Sequence, residues 1–250
     1  MKTWIAVAAI AVIAAGCASK SDVDALKKEV EALKATQAQL VKRVGGVNAP
    51  QQPAAQPKPL PASIDLTGAP FKGSKTSPVV LVEFSDYECP FCVRHFTQVM
   101  PDIDRAYIHT NKIRYSFRDF PIDELHPESI RAHVAAHCAI EQGPQQFWNL
   151  HNRLFTKPGT HKPADLQARA QEAGLNAGAF NACVADDKYS AAIRQSTAFA
   201  ISLGASGTPF FVIGTMEDAT HMKPLKTIPG AFPFAQFQQA IDAALAGKKP

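Results

Sequence analysis

The order of apolar and polar positions divides the chain into four stretches. Residues 4–15 form an unbroken apolar run behind the basic Lys2. A bilayer span needs about 20 such residues, so this run reads as an export signal rather than a transmembrane helix. Over residues 21–44 the apolar positions Val23, Leu26, Val30, Leu33, Leu40 and Val44 recur three and four apart, with Gln37 at the one polar seam position. That spacing predicts a heptad helix. Ser21 with Asp24 provides a capping box, Asp24 and Lys28 stand one turn apart, and Gly45-Gly46 ends it. β-Branched residues at one seam position and Leu at the other suit a parallel dimer, and the polar seam residue also fits a trimer. A helix folded back onto its own domain is the competing use of the same stripe. Residues 45–63 then break all periodicity with Pro50, Pro53, Pro57, Pro59 and Pro61, which exclude a helix or a central strand. This linker reaches about 60 Å when extended and nearer about 25 Å as a coil.

A globular pattern begins near Ile64. Residues 78–84 are almost continuously apolar, as in a strand buried on both faces. Ser85, Asp86, Tyr87 and Glu88 follow, and Cys89-Pro90-Phe91-Cys92 opens a helix running to about His109. Residues 113–120 form a second strand, giving a β-α-β unit and hence a parallel pair. Residues 128–204 show only helical stretches, punctuated at Gly143-Pro144, Pro158-Gly159, Pro163 and Gly174. A strand at 209–214, an edge strand through Ile228-Pro229-Gly230 and an amphipathic helix over 234–246 complete an α/β domain with a helical insertion at about 126–204.

Composition removes several alternatives. With 250 residues, 46% of them apolar, the chain can bury one or two real cores and is no short disulfide-stapled scaffold. A net charge of +4 with no long basic run gives no case for a nucleic-acid partner. Five cysteines cannot all pair within one chain, so at least one is free, metal-bound, intermolecular or modified. The first lies in Ile13-Ala14-Ala15-Gly16-Cys17, which resembles a bacterial lipoprotein lipobox, with Ile13 where Leu is usual. The resemblance implies a signal peptide over 1–16 and lipid on Cys17, the alternative being an ordinary signal peptide or uncleaved anchor with an incidental cysteine. Ala18, in place of Asp, points to the outer membrane of a diderm cell, with the rest of the chain facing the periplasm.

The chemistry centres on Cys89 and Cys92. A cysteine at a helix start meets unpaired backbone amides and the positive end of the helix dipole, which stabilise a thiolate. Cys89 is therefore expected to be the exposed nucleophile and Cys92, one turn on, the more buried resolving thiol. Pro90 suits the first turn, where its missing N–H costs nothing. Half a zinc site is the rival reading, but no second Cys-x-x-Cys or spaced His pair completes it, so neither metal nor cofactor is expected. A purely structural loop disulfide is the other alternative.

The stretches Val82-Glu83-Phe84-Ser85-Asp86-Tyr87-Glu88-Cys89-Pro90-Phe91-Cys92, Tyr115-Ser116-Phe117-Arg118-Asp119-Phe120-Pro121 and Gly207-Thr208-Pro209-Phe210-Phe211-Val212 together resemble the DsbA-like thiol-disulfide oxidoreductases. The similarity covers roughly residues 64–248. It implies a thioredoxin-like fold with an inserted helical subdomain, here preceded by the heptad helix and linker. It further implies a cis Pro209 facing the Cys89–Cys92 pair, with Thr208 binding an extended substrate segment. Glu83 takes the place of a buried acid that moves protons to and from the resolving cysteine; a partly exposed strand-end carboxylate is the bland alternative. Phe91 stands where strongly oxidising relatives carry His, and Asp86 and Glu88 are expected to be exposed and to oppose the thiolate. All three point to a less depressed Cys89 pKa and a less oxidising disulfide. Cys138 and Cys183 match a second disulfide that some relatives carry in the helical subdomain, against the alternative of two inert thiols. His133 and His137 are expected to be a solvated helix face, and His95 a packing or surface residue.

The leading expectation is an exported, lipid-anchored oxidoreductase that exchanges disulfides with cysteine-containing exported proteins, as oxidase or isomerase. It would use a membrane redox partner and form a dimer or trimer through residues 21–44. The alternative is a non-catalytic envelope lipoprotein that oligomerises through its coiled coil and binds clients or metal.

Overall fold

The computed structural model describes residues 20–45, 59–156 and 161–247. The signal segment 1–16, Cys17 and most of the linker lie outside the described residues. Two units separate, residues 1–56 and residues 57–250.

In the first unit α1 (Lys20–Gly45) is a continuous helix. Asp24 pairs with Lys27, at 3.8 Å, and Lys34 with Glu31, at 3.0 Å. Val23, Leu26, Val30 and Leu33 are 41% to 68% exposed, so this part of the heptad stripe is uncovered among the described residues. No helix among the described residues is long and apolar enough to cross a membrane.

The second unit opens with β1 (Ile64–Asp65), β2 (Phe71–Gly73) and β3 (Val79–Ser85). A helical stretch follows: α2 (Pro90–Arg94), a π turn (His95–Val99), α3 (Met100–Ile103) and a second π turn (Asp104–Ile108). The expected smooth helix is thus interrupted. Pro101 has no N–H for the Thr97 carbonyl and its ring crowds that carbonyl, so the first π turn widens the helix ahead of it. After β4 (Arg114–Asp119) come five inserted helices: α4 (Ser129–Ile140), α5 (Pro144–Thr156), α6 (Pro163–Glu172), α7 (Ala177–Asp186) and α8 (Ser190–Ser202). β5 (Phe210–Met216), β6 (His221–Pro229) and α9 (Phe234–Leu245) close the domain.

The sheet runs β1-β6-β5-β3-β4-β2. β3 is parallel to β4 and antiparallel to β5, so Val82 lies between Ser116 and Val212. Every residue of β3 is buried. Its alternation sends Val79 and Leu81 into one layer with Phe117, Phe211, Phe237 and the helical insertion, and Val80, Val82 and Phe84 into the other with Phe210, Val212, Ala200 and Leu203. Each such side chain contributes about 1.5–3 kcal/mol by leaving water, which places the strand at the mechanical centre of the domain. β6 differs from its expected edge position, because the two residues of β1 pair outside it. At Gly214, where the β5–β6 register shifts, a Cβ would stand 2.2 Å from the Lys223 carbonyl oxygen, so only glycine fits.

Within the insertion Cys138 of α4 and Cys183 of α7 form a disulfide across a sequence separation of 45 residues. A loop of that size contributes about 4 kcal/mol by restricting the unfolded chain. Replacing both residues, Cys138→Ala with Cys183→Ala, is expected to lower the unfolding free energy in urea by up to about that amount while leaving the reactivity of Cys89 toward iodoacetamide unchanged.

Candidate active site

The strand β3 delivers the chain into a turn that one carboxylate holds. Asp86 is completely buried. Its Oδ1 accepts the Glu88 N–H at 2.8 Å and the Ser129 hydroxyl, and its Oδ2 accepts the Ile122 N–H at 2.8 Å and the His126 Nδ1–H at 2.8 Å. The expectation of an exposed Asp86 is therefore corrected. A turn leaving a fully buried strand brings its own N–H groups inside, and they need an acceptor there. Glu88 is also largely covered, 3.2 Å from His161 Nδ1, and burial raises its pKa. Tyr87, between them, stacks on Phe117, packs at a tilt on Phe155 and shares a 3.0 Å hydrogen bond with His151 Nδ1, so the turn is gripped by the insertion.

Cys89 is the residue at which α2 starts, and Cys92 lies one turn inside it. Both are unbonded thiols and both are buried, Cys89 to 4% exposure and Cys92 to 0%. Cys89 is thus covered rather than exposed, because the Thr208 loop closes over it: its thiol donates to the Thr208 carbonyl at 3.5 Å. The Thr208–Pro209 peptide is cis. The two sulfurs have opposite electrostatics. A hydrogen bond from Cys92, outweighing burial and joined by the Thr208 side chain and the N–H groups of Cys92 and Phe91, lowers Cys89 to about 6. Burial, with the Cys89 thiolate alongside, holds Cys92 well above the ordinary thiol range. Phe91 is 54% exposed under the Arg94 guanidinium at 5.2 Å and lends the sulfur only its backbone amide. Beside this loop a groove of about 550 Å³ runs from Phe120 and Ile122 past Ile201 to Gly207, next to Thr208.

Behind the thiols lies Glu83, buried to 2% exposure. Burial pushes its pKa up to about 7, against the Tyr115 hydrogen bond, the Ser85 hydroxyl nearby and the charge of Lys72. The Tyr115 hydroxyl donates to Oε2 at 2.8 Å. His95 Nε2 is 3.8 Å from the same oxygen, but burial lowers that imidazole to about 3, so it stays neutral and packs between Phe211 and Phe237. The expected histidine face of α4 is not solvated either. His133 and His137 both turn onto Asp119, at 2.7 and 2.8 Å. Despite its burial the two rings hold that carboxyl well below the usual carboxylate range, and Asp119 raises His137 against the effect of burial. The pattern of two histidines on one helix carries no information about a carboxylate on a neighbouring strand. No group of three or more His, Cys, Asp or Glu is arranged to hold a metal ion among the described residues.

The structure therefore brings Glu83, Cys89, Pro90, Phe91, Cys92, Thr208 and Pro209 to one end of β3, with Cys138 and Cys183 apart in the insertion. Tyr115 and Asp86 join the group unforeseen. The parallel register that sets Leu81 against Tyr115 was the available signal for the first, and an Asp directly after a buried strand the signal for the second.

Folded Glu83 keeps its proton up to about pH 7, whereas an unfolded glutamate releases it near 4.5. The folded state binds more protons at Glu83 between those values, so the contribution of Glu83 to stability is greatest below pH 4.5 and is lost as pH rises through 7. Glu83→Gln, which mimics the neutral acid, is expected to raise the unfolding free energy by roughly 3 kcal/mol at pH 8.5 and to leave it unchanged near pH 4, as read by urea unfolding.

Comparison with known proteins agrees with this architecture. A family profile described as Thioredoxin matches residues 66–228. The fold is similar to that of alpha-DsbA1 from Wolbachia pipientis, at 25% identity and a TM-score of 0.62, covering 76% of this chain and 94% of that one. It is similar also to a thioredoxin-like oxidoreductase from Silicibacter pomeroyi, at 32% identity and a TM-score of 0.57, covering 70% and 91%. A curated relative, Na(+)/H(+) antiporter NhaA 3 of Salinispora tropica, is 34% identical over 144 residues, which are 57% of this chain and 21% of the antiporter. The chain thus spans about a fifth of that relative's length, and most of the antiporter lies outside the match. A match across residues 66–228 takes in the redox turn, the insertion and most of the sheet alike, and the chain belongs to the thioredoxin family, in its DsbA-like form.

Proposed function

We propose that the protein is a thiol-disulfide oxidoreductase that exchanges disulfides with protein cysteines through Cys89 and Cys92. The carrying observation is the opposed acidity of two adjacent thiols, one lowered to about 6 and the other held well above the thiol range. In the oxidised form a substrate thiolate attacks Cys89, the Cys89–Cys92 bond breaks, and Cys92 leaves and takes a proton. A second substrate thiolate then attacks the substrate sulfur of the mixed disulfide and frees Cys89 as a thiolate, a good leaving group because its pKa is low. The reverse sequence reduces a substrate disulfide or shuffles it. A Cys89 pKa of about 6 lies between the roughly 7 of thioredoxin and the roughly 3.5 of the strongest oxidant of this type, which suits a disulfide of intermediate oxidising strength. Thr208 receives an extended stretch of substrate, and the apolar groove ending at Gly207 accepts the residues beside its cysteine.

The remainder of the reading concerns placement. Cys17 carries lipid, the linker 45–63 holds the thioredoxin domain, from residue 64 on, away from an outer membrane, and a membrane partner resets the redox pair. Residues 21–44 associate as a dimer or trimer through the exposed Val23, Leu26, Val30 and Leu33 stripe, which favours an isomerase that presents several active sites to one client.

A Cys92→Ala variant is expected to accumulate mixed disulfides with cysteine-containing proteins of the envelope, sensitive to dithiothreitol on non-reducing gels. Cys89→Ser should trap none. Equal function of wild type and Cys89→Ser would favour the non-catalytic envelope lipoprotein instead. Sedimentation equilibrium of the chain from residue 18 should give a dimer or trimer that dissociates on Leu26→Lys with Leu33→Lys; a monomer before substitution rules out the coiled coil.

A further inference from the structure

The path between Cys92 and Glu83 passes one buried hydroxyl. Strand β3 runs toward the cysteine turn and α2 runs back from it, so the two elements lie as antiparallel ladders. Strand alternation points Glu83 and Ser85 the same way as Val79 and Leu81, into the layer that contains Cys92. At one rung Glu83 Oε2 is 3.8 Å from His95 Nε2. Cys92, three residues before His95, lies about 4.5 Å nearer the helix start. Ser85, two residues after Glu83, lies about 6.6 Å nearer the strand end. The next rung therefore sets Ser85 against Cys92 and leaves Glu83 one step behind.

Ser85 is completely buried, and its Oγ makes no hydrogen bond of ordinary length to the described protein atoms. Leaving a buried hydroxyl unpaired costs about 1–3 kcal/mol, so its presence calls for a cause. The same hydroxyl favours the ionised forms of both Glu83 and Cys92, as a donor standing between them does. A serine oxygen can accept one proton while giving up another, which neither an apolar residue nor a carboxylate pair at this spacing achieves.

We propose that Ser85 is a positioning residue that passes the proton between Cys92 and Glu83. The assignment rests on the exchange reading given above. When a mixed disulfide at Cys89 is resolved, the Cys92 S–H proton moves to Ser85 Oγ as the Ser85 proton moves to the Glu83 carboxylate. The Cys92 sulfur bonds to Cys89, the bond from Cys89 to the substrate sulfur breaks, and the substrate leaves as a thiolate. When a substrate thiolate opens the Cys89–Cys92 disulfide, the departing Cys92 sulfur recovers the proton from Glu83 by the same route. Charge and atoms balance without any further reactant.

The test follows the reduced full chain as glutathione disulfide oxidises it, with acid quenching and mass spectrometry to separate glutathionylated Cys89 from the closed disulfide. Ser85→Ala is expected to accumulate the glutathionylated form near pH 6.5 and to resolve it at least about tenfold more slowly than wild type, the size of a modest general-acid/base effect. The gap should close above about pH 9.5, where hydroxide takes the Cys92 proton directly, and formation of the adduct should change little. Ser85→Thr should restore the rate and its pH profile. Resolution by Ser85→Ala at the wild-type rate and pH profile overturns the proposal, as does equal slowing of the Ala and Thr variants at every pH. If wild type forms neither a glutathione adduct at Cys89 nor the closed Cys89–Cys92 disulfide, the exchange reading has failed and the relay with it, a result distinct from either.

Discussion

The Asp86 carboxylate is the joint on which the site depends. It accepts two backbone N–H groups, a serine hydroxyl and an imidazole N–H, from the cysteine turn itself and from the stretch leading into α4. An ionised group is tolerated at zero exposure only when its lone pairs are filled, and here four donors fill them. The carboxylate thus locks the end of β3, the start of α2 and the start of the insertion into one rigid corner. Removing any of those partners would leave a charge inside the protein with too few donors, which is why the corner acts as a unit.

On that corner, two effects of opposite sign act on two sulfurs one helical turn apart. At Cys89 the hydrogen bond from Cys92, joined by the Thr208 side chain and two backbone amides, outweighs the cost of covering the sulfur. Cys92 lies deeper, and desolvation dominates. Glu83 answers the second effect, since burial gives a carboxyl a proton affinity close to neutrality behind a thiol that has to gain and lose a proton. Tyr115, His95 and the phenylalanines around them keep this volume dry, and the neutrality of His95 leaves Glu83 without a fixed cation in direct contact.

Much of this was legible in the residues. The continuous apolar run 78–84, followed by Cys-Pro-Phe-Cys, located the central strand and the helix that carries the thiols, and the absence of strand patterning after residue 128 located the insertion. The heptad spacing over 21–44 marked α1, because periodicity is a local property. The Cys138–Cys183 bridge and the cis Pro209 beside Cys89 were also reached, through the family resemblance, and what failed was the surroundings that distant elements give to single polar side chains. Asp86 and Glu88 looked like solvent-facing charges because polarity alone does not report the donors that Ser129, His126 and His161 supply from the insertion. His133 and His137 looked solvated because Asp119 belongs to another element. Cys89 was expected to be open, since the loop that covers it arrives more than a hundred residues later, at Thr208. Both outermost strands were missed, because the two residues Ile64–Asp65 and the three residues Phe71–Gly73 are too few to leave a pattern.

The bridge between Cys138 and Cys183 has a consequence for how the molecule is made. Both sulfurs are covered, at 1% and 8% exposure, and both sit on helices of the insertion rather than near α2. Exposure does not separate the two pairs, for Cys89 and Cys92 are 4% and 0% exposed; position does, Cys89 lying at a helix start under the Thr208 loop and the bridge lying between two inserted helices. The molecule therefore carries one pair of unbonded thiols at the start of α2 and one pair already joined as a cross-link between α4 and α7. Joining two thiols removes two electrons and two protons, so each newly made copy needs an oxidant before this cross-link of the insertion is complete.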